Sequence, residues 1–187
     1  MSSLTRYGAT ALVTGASSGI GKSYARAIAK DGLNLVLVAR RKALLDELAD
    51  ELSGEHGIQV HTIAQDLTDF DAADKVYENV QQAGLEIDIL VNNAGFGTHG
   101  VFEELSLERE LEMINLSCRL PVALTHKFIG AMKQKNRGAI LFLSSMAGTT
   151  PSVIDGGANK ISAFFMGLMP KKMLLKTNAR LWHVAKD

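Results

Sequence analysis

One cysteine, Cys118, occurs in the 187 residues. An internal disulfide is therefore excluded, and a reducing, cytoplasmic setting is expected. Charge of either sign is not in excess, because 20 basic residues balance 20 acidic ones. That balance speaks against a nucleic-acid partner, which calls for a basic surplus. No apolar run approaches the length needed to cross a bilayer, and Met1 to Tyr7 has no apolar core of signal-peptide length. No membrane partner is expected. His56, His61, His99, His126 and His183 show no metal-ligand spacing, alone or with Cys118. Repeats and low-complexity segments are absent. Tyrosine is scarce: Tyr7, Tyr24 and Tyr77 are the only three.

What is present fits one globular domain spanning 1–187, with an apolar fraction of 47% that suffices for a proper core. Composition shifts near the end. From Pro151 onward six basic residues face two acids, so that stretch carries about +4 and the rest about −4. It also holds two of the three prolines.

Short apolar runs alternate with helical spacing. Ala9 to Val13 reads as a buried strand ending at glycine. Ile20, Tyr24, Ala27 and Ile28 then recur at helical spacing as far as Gly32. Leu33 to Ala39 is a second strand, and Leu44, Leu45, Leu48, Ala49 and Leu52 mark a helix stopped near Gly54. Ile58 to Ala64, Ile87 to Val91 and Ala139 to Leu143 are further strands, with Val76 and Val80 on a helix between the first two. Ser106 is placed to N-cap a long helix whose apolar stripe runs Leu107, Leu111, Ile114, Cys118 and Val122. Pro121 should kink that helix or mark a break. This alternation predicts an α/β fold: a Rossmann-like, doubly wound parallel sheet flanked by helices.

The first strand runs into Gly15-Ala16-Ser17-Ser18-Gly19-Ile20-Gly21 and then a helix. A nucleotide pyrophosphate needs backbone N–H groups at a helix N-terminus and no β-carbon in the way. Gly15 permits the tight turn, and Gly19 and Gly21 permit close approach. The same residues also match G-x-S-x-G, the nucleophile elbow of hydrolases, with Ser17 as nucleophile. Asp66 or Asp88 and His99, His126 or His183 follow in suitable order for that alternative. Against it, the first strand is an unusual place for an elbow, and no HGGG-type oxyanion segment occurs.

The second strand ends at Arg40 and Arg41. A carboxylate there would hold a ribose 2′-hydroxyl, whereas guanidinium groups grip a 2′-phosphate. The site should prefer NADP(H) over NAD(H). The competing account, that two arginines merely solvate a helix start, is weakened because cations are not favoured at a helix N-terminus.

Thr14-Gly15-x-x-x-Gly19-Ile20-Gly21, Asp66-Leu67, Asn92-Asn93-Ala94-Gly95, Asn115 and Ser144-Ser145-Met146-Ala147-Gly148 together resemble the short-chain dehydrogenase/reductase family. Within it the chain is most similar to the subgroup with hydroxysteroid dehydrogenases and 3-oxoacyl reductases. The resemblance covers residues 8 to 168 and leaves 169–187 as an atypical tail. It implies NADP(H)-dependent reduction of a carbonyl, or oxidation of an alcohol, on a small-molecule substrate. By that resemblance the glycine turn, with Ser17 and Ser18, would hold the cofactor. Asp66 would accept from the adenine amino group, with Leu67 beside the ring. Asn93, Ala94 and Gly95 would line the cofactor. Asn115 would hold a water in a proton relay, Ser144 or Ser145 would bond the substrate oxygen, and Lys160 would bind the nicotinamide ribose. Family members pair through two long helices, here beginning near Ser106 and Gly157. Only the first looks complete, which leaves homodimer and homotetramer open.

The pattern departs in two places. The family's general acid is a tyrosine four residues before the lysine, and Gly156 stands at that position. No tyrosine follows Tyr77 to replace it. A missing general acid costs about 10²–10⁴ in rate, so impaired catalysis is expected, or an inactive NADP(H)-binding or partner-binding module. Asp155 is the nearest substitute acid, but an ordinary carboxyl is ionised at neutral pH and cannot donate. Further on, Pro170 should break the helix that continues past Phe165. Ala179 to Ala185 reads as a sixth strand before the sequence ends at Asp187, so the sheet should be incomplete at its C-terminal edge.

Overall fold

The structure, a computed structural model, describes residues 4–143. Five strands form one sheet: β1 (Thr10–Thr14), β2 (Asn34–Ala39), β3 (Val60–Ala64), β4 (Ile89–Asn92) and β5 (Ala139–Phe142). All neighbours are parallel, in the order β3-β2-β1-β4-β5. Five α-helices connect them: α1 (Gly19–Lys30), α2 (Lys42–His56), α3 (Ala72–Gln82), α4 (Leu107–Ile114) and α5 (Leu120–Gln134). The predicted doubly wound sheet is what forms.

Alternation along the strands explains the two layers. Ala11, Val13, Leu35 and Leu37 point to one face and pack with Ile28, Leu45, Leu48 and Leu52 of α1 and α2. Leu12, Val36, Val38 and Leu90 point to the other and pack with Val76, Val80, Leu124 and Phe128 of α3 and α5. Both faces are dry, so the strands read as continuous apolar runs.

Two sequence expectations need correction. Ile20 and Ala27 do not belong to the core stripe of α1; its buried residues are Gly21, Ala25, Ile28 and Ala29, and Ile20 is 62% exposed. The long helix after Ser106 is continuous in backbone conformation but carries a π turn ahead of Pro121. It runs as α4, widens into a π turn over Asn115–Arg119, and resumes as α5 with Pro121 in its first turn. The missing proline N–H falls directly after the π turn, the kind of local widening by which a helix accommodates it. The expected stripe Leu107, Leu111, Ile114, Cys118 and Val122 faces outward, with Leu107 66% and Val122 67% exposed. The inward stripe is Leu116, Leu120, Leu124 and Phe128. Both stripes are apolar at helical spacing, and only packing tells them apart. The sixth strand expected at 179–185 and the helix expected near Gly157 lie outside the described residues. Among the described residues no helix is long and apolar enough to cross a membrane.

Candidate functional site

From β1 the chain winds outward to β2 and β3, then crosses back to β4 beside β1. The connections after β1 and β4 leave in opposite directions. A crevice opens at the carboxyl ends of these two strands, the switch point where such sheets bind ligands. A cleft of about 410 Å³ lies there, and its lining includes the glycine turn, Arg40 and Arg41, Asp66 and Leu67, and Asn93 to Phe96.

The two turns are stitched together. The hydroxyl of Thr14 donates to the Val91 carbonyl at 3.2 Å and accepts from the N–H groups of Asn93 (2.9 Å) and Ala94 (3.1 Å). Asn93 Nδ2 in turn donates to the Thr14 carbonyl at 2.8 Å. Its carboxamide therefore shapes the glycine turn. Gly15 has φ +69°, a left-handed conformation that side chains avoid. At Gly21 a β-carbon would stand 2.3 Å from the Gly15 carbonyl oxygen and 2.4 Å from Asn93 Nδ2. The close approach at Gly21 is thus made by the turn's own backbone and by Asn93. Gly19 differs: its φ is +56° and the space beyond its Cα is open.

The start of α1 suits an anion. Ser18 is its N-cap, yet it makes no side-chain bond to the first turn, which carries no acid. Instead Arg41 Nη2 donates to Ser18 Oγ at 2.8 Å and to Ser17 Oγ at 3.0 Å. Unbonded first-turn N–H groups and the positive end of the helix dipole attract phosphate. A guanidinium and two hydroxyls stand beside them. The residues present fit the phosphates of a nicotinamide dinucleotide. Ser17 faces Arg41, which is no general base. Asp88 lies at the other end of β1 and β4, bonded to the N–H groups of Ala9 and Thr10, away from Ser17.

Asp66 Oδ1 accepts from the N–H (3.0 Å) and hydroxyl (2.8 Å) of Thr68, and Arg40 stands 3.7 Å from Oδ2. Burial works against its charge. Thr68 and the Arg40 guanidinium outweigh that penalty and hold the carboxyl below the usual range. Asp66 is thereby kept ionised, an acceptor at neutral pH. Asn115 opens the π turn, and its Nδ2 donates to the Thr68 carbonyl at 2.5 Å. The carboxamide thus ties the π turn to the loop after β3. Ser144, Ser145 and Lys160 lie outside the described residues.

Sequence reasoning missed several contributors, Thr68, Phe96 and Arg109 among them. Thr68 links Asp66 to Asn115, a bond through its backbone carbonyl that leaves no mark on residue choice. Phe96 and Arg109 also line the cleft. Arg109 did leave a signal: it occupies a helix position where a cation is unfavourable.

The fold and this site define a Rossmann-type nucleotide-binding protein. Residues 9–156 match the short chain dehydrogenase family. The chain is 36% identical over 150 residues to a very-long-chain 3-oxoacyl-CoA reductase of Aspergillus clavatus, covering 78% of this chain and 43% of that one. It is 32% identical over 145 residues to a 7beta-hydroxysteroid dehydrogenase of Clostridium sardiniense, covering 78% and 55%. A solved short-chain dehydrogenase from Sphingobium yanoikuyae in complex with NADPH is 34% identical with a TM-score of 0.69, covering 91% of this chain and 66% of that one. The chain belongs to the short-chain dehydrogenase/reductase family. It spans about half the length of the curated relatives it matches.

Proposed function

We propose that the chain binds NADP(H) in preference to NAD(H), within a lineage that reduces carbonyls or oxidises alcohols on small molecules, and that its own turnover is impaired. The observation that carries the cofactor preference is Arg41 bridging the hydroxyls of Ser17 and Ser18. A 2′-phosphate placed there meets a fork of donors, and no carboxylate follows β2 to repel it. The complex of the Sphingobium relative with NADPH supports the same choice. Bound NADPH supplies a hydride. The protein must supply a proton to the developing alkoxide, and Gly156 offers none where the family has its tyrosine.

Calorimetric titration with NADPH and NADH tests the preference. Arg41→Ala is expected to weaken NADPH binding roughly tenfold, the worth of a charge-assisted bond, and to leave NADH binding unchanged. Equal losses for both cofactors would refute the assignment to the 2′-phosphate. Turnover is tested separately, by NADPH oxidation over a panel of ketones. Rates within the ordinary enzyme range of about 1–10³ s⁻¹ would overturn the impairment.

The outward stripe Leu107, Leu111, Ile114 and Val122 supports self-association through α4 and α5. Exposed apolar residues at helical spacing supply surface that a second copy would bury. Ile114→Asp is expected to shift the species seen in sedimentation velocity towards monomer with melting unchanged. A sedimentation profile identical to the wild type would remove α4 from the interface.

A further inference from the structure

One cation in the cleft has no role in the reading above. Arg109 reaches the cleft from α4. Ser106 caps that helix, its hydroxyl accepting from the Arg109 N–H at 3.3 Å, which makes Arg109 the third helical residue. At this position a glutamate would complete a capping box, and a cation opposes the positive end of the helix dipole. Glu108 and Glu110 obey the rule on either side. Positions where a local preference is overridden gather at functional sites.

The side chain is also held in place. Nη1 donates to Glu112 Oε2 at 2.7 Å, and the guanidinium carbon lies 3.7 Å from the centre of the Phe96 ring. Phe96 packs with Ala94, Leu67 and Leu116 in one apolar cluster. The cleft is thus divided chemically. Ser17, Ser18 and Arg41 supply donors for phosphate. The far wall is apolar and carries a planar cation, still about half exposed at 47%. A flat heterocycle with acceptor nitrogens at its edge suits such a wall, since guanidinium groups stack on aromatic faces and donate in their own plane.

We propose that Arg109 is a base-contacting residue. Through the N–H groups that Glu112 leaves unused, its guanidinium engages the purine of the bound dinucleotide and sets affinity for the adenosine half. This rests on the nucleotide-binding reading above. The test is titration of the full chain with NADPH, adenosine 2′,5′-bisphosphate and nicotinamide mononucleotide. Arg109→Gln is expected to weaken NADPH and the bisphosphate by the same factor, roughly tenfold, and to leave the mononucleotide unaffected. Arg109→Lys keeps the charge without the planar fork and should fall between, which carries the test if Arg109→Gln melts early. Glu112→Gln frees the guanidinium and should keep or raise affinity. Unchanged bisphosphate affinity in Arg109→Gln would overturn the inference. So would an equal loss in Glu112→Gln, which would trace the effect to helix stability. A wild-type chain that binds neither NADPH nor the bisphosphate would instead refute the nucleotide-binding reading itself.

Discussion

Gly21→Ala is expected to destabilise the protein by roughly 1–3 kcal/mol and to abolish NADPH binding. Intrinsic propensity argues the other way, since alanine in a helix interior is better than glycine by up to about 1 kcal/mol. Packing decides. The new methyl would lie 2.3 Å from the Gly15 carbonyl oxygen and 2.4 Å from Asn93 Nδ2. Neither can step aside: the first is backbone, and the second is bonded to the Thr14 carbonyl. Relief requires α1 to move away from the turn, and the anion-binding end of α1 moves with it. Gly54→Ala is the natural control. Gly54 lies in α2 with nothing within 4 Å of an added β-carbon, so propensity is unopposed there and a gain of about 0.5–1 kcal/mol is expected. Urea denaturation of both variants reads the contrast. A gain at Gly21 like the one at Gly54 would show that the collision at Gly21 is absorbed locally.

The middle of the sheet was legible because β1, β2 and β4 are buried on both faces and leave short apolar runs bounded by glycine or polar residues; the edge strands β3 and β5 are only partly buried. The cofactor cleft was legible for a different reason. Backbone approach forces glycine at Gly15 and Gly21, and Arg41 stands against Ser17 and Ser18 at the start of α1, so geometry is written into residue identity. Where geometry is carried by backbone atoms, as in the bond from Asn115 to the Thr68 carbonyl, identity records only one partner. The α4–α5 segment failed in another way. Its sequence carries two apolar stripes interleaved along the same segment, and the π turn at Asn115–Arg119 shifts the register between them. Periodicity alone could not tell which stripe meets the sheet. Ile20 keeps the helical spacing of the α1 stripe yet lines the cleft, because an apolar residue in a cleft and one in a core look alike in sequence.

Asp88→Ala should cost about 2–4 kcal/mol, the range for breaking a buried, bonded charge. The carboxylate is 4% exposed at the amino end of β4. Its Oδ2 accepts from the N–H groups of Ala9 (2.8 Å) and Thr10 (3.3 Å), and its Oδ1 from Lys135 Nζ (3.1 Å). One side chain thereby joins the start of β1 to the segment that follows α5. Space for it exists only because residue 8 is glycine: a β-carbon there would lie 2.0 Å from the Asp88 Cβ. Burial pushes the carboxyl up, but the Ala9 N–H, Lys135 and the Thr10 N–H prevail, and its pKa is held below the ordinary aspartate value. The sign of the pH effect follows. A depressed folded-state pKa stabilises the protein above the unfolded value of about 3.9, and that contribution is lost as pH falls through the folded value. Asp88→Asn keeps the shape but not the charge, so it should trail the wild type near neutrality and converge on it in acid. Urea midpoints at about pH 6 and about pH 3 measure the gap. A gap that stayed constant across that range would mean that shape, and not ionisation, is what Asp88 contributes to the base of the sheet.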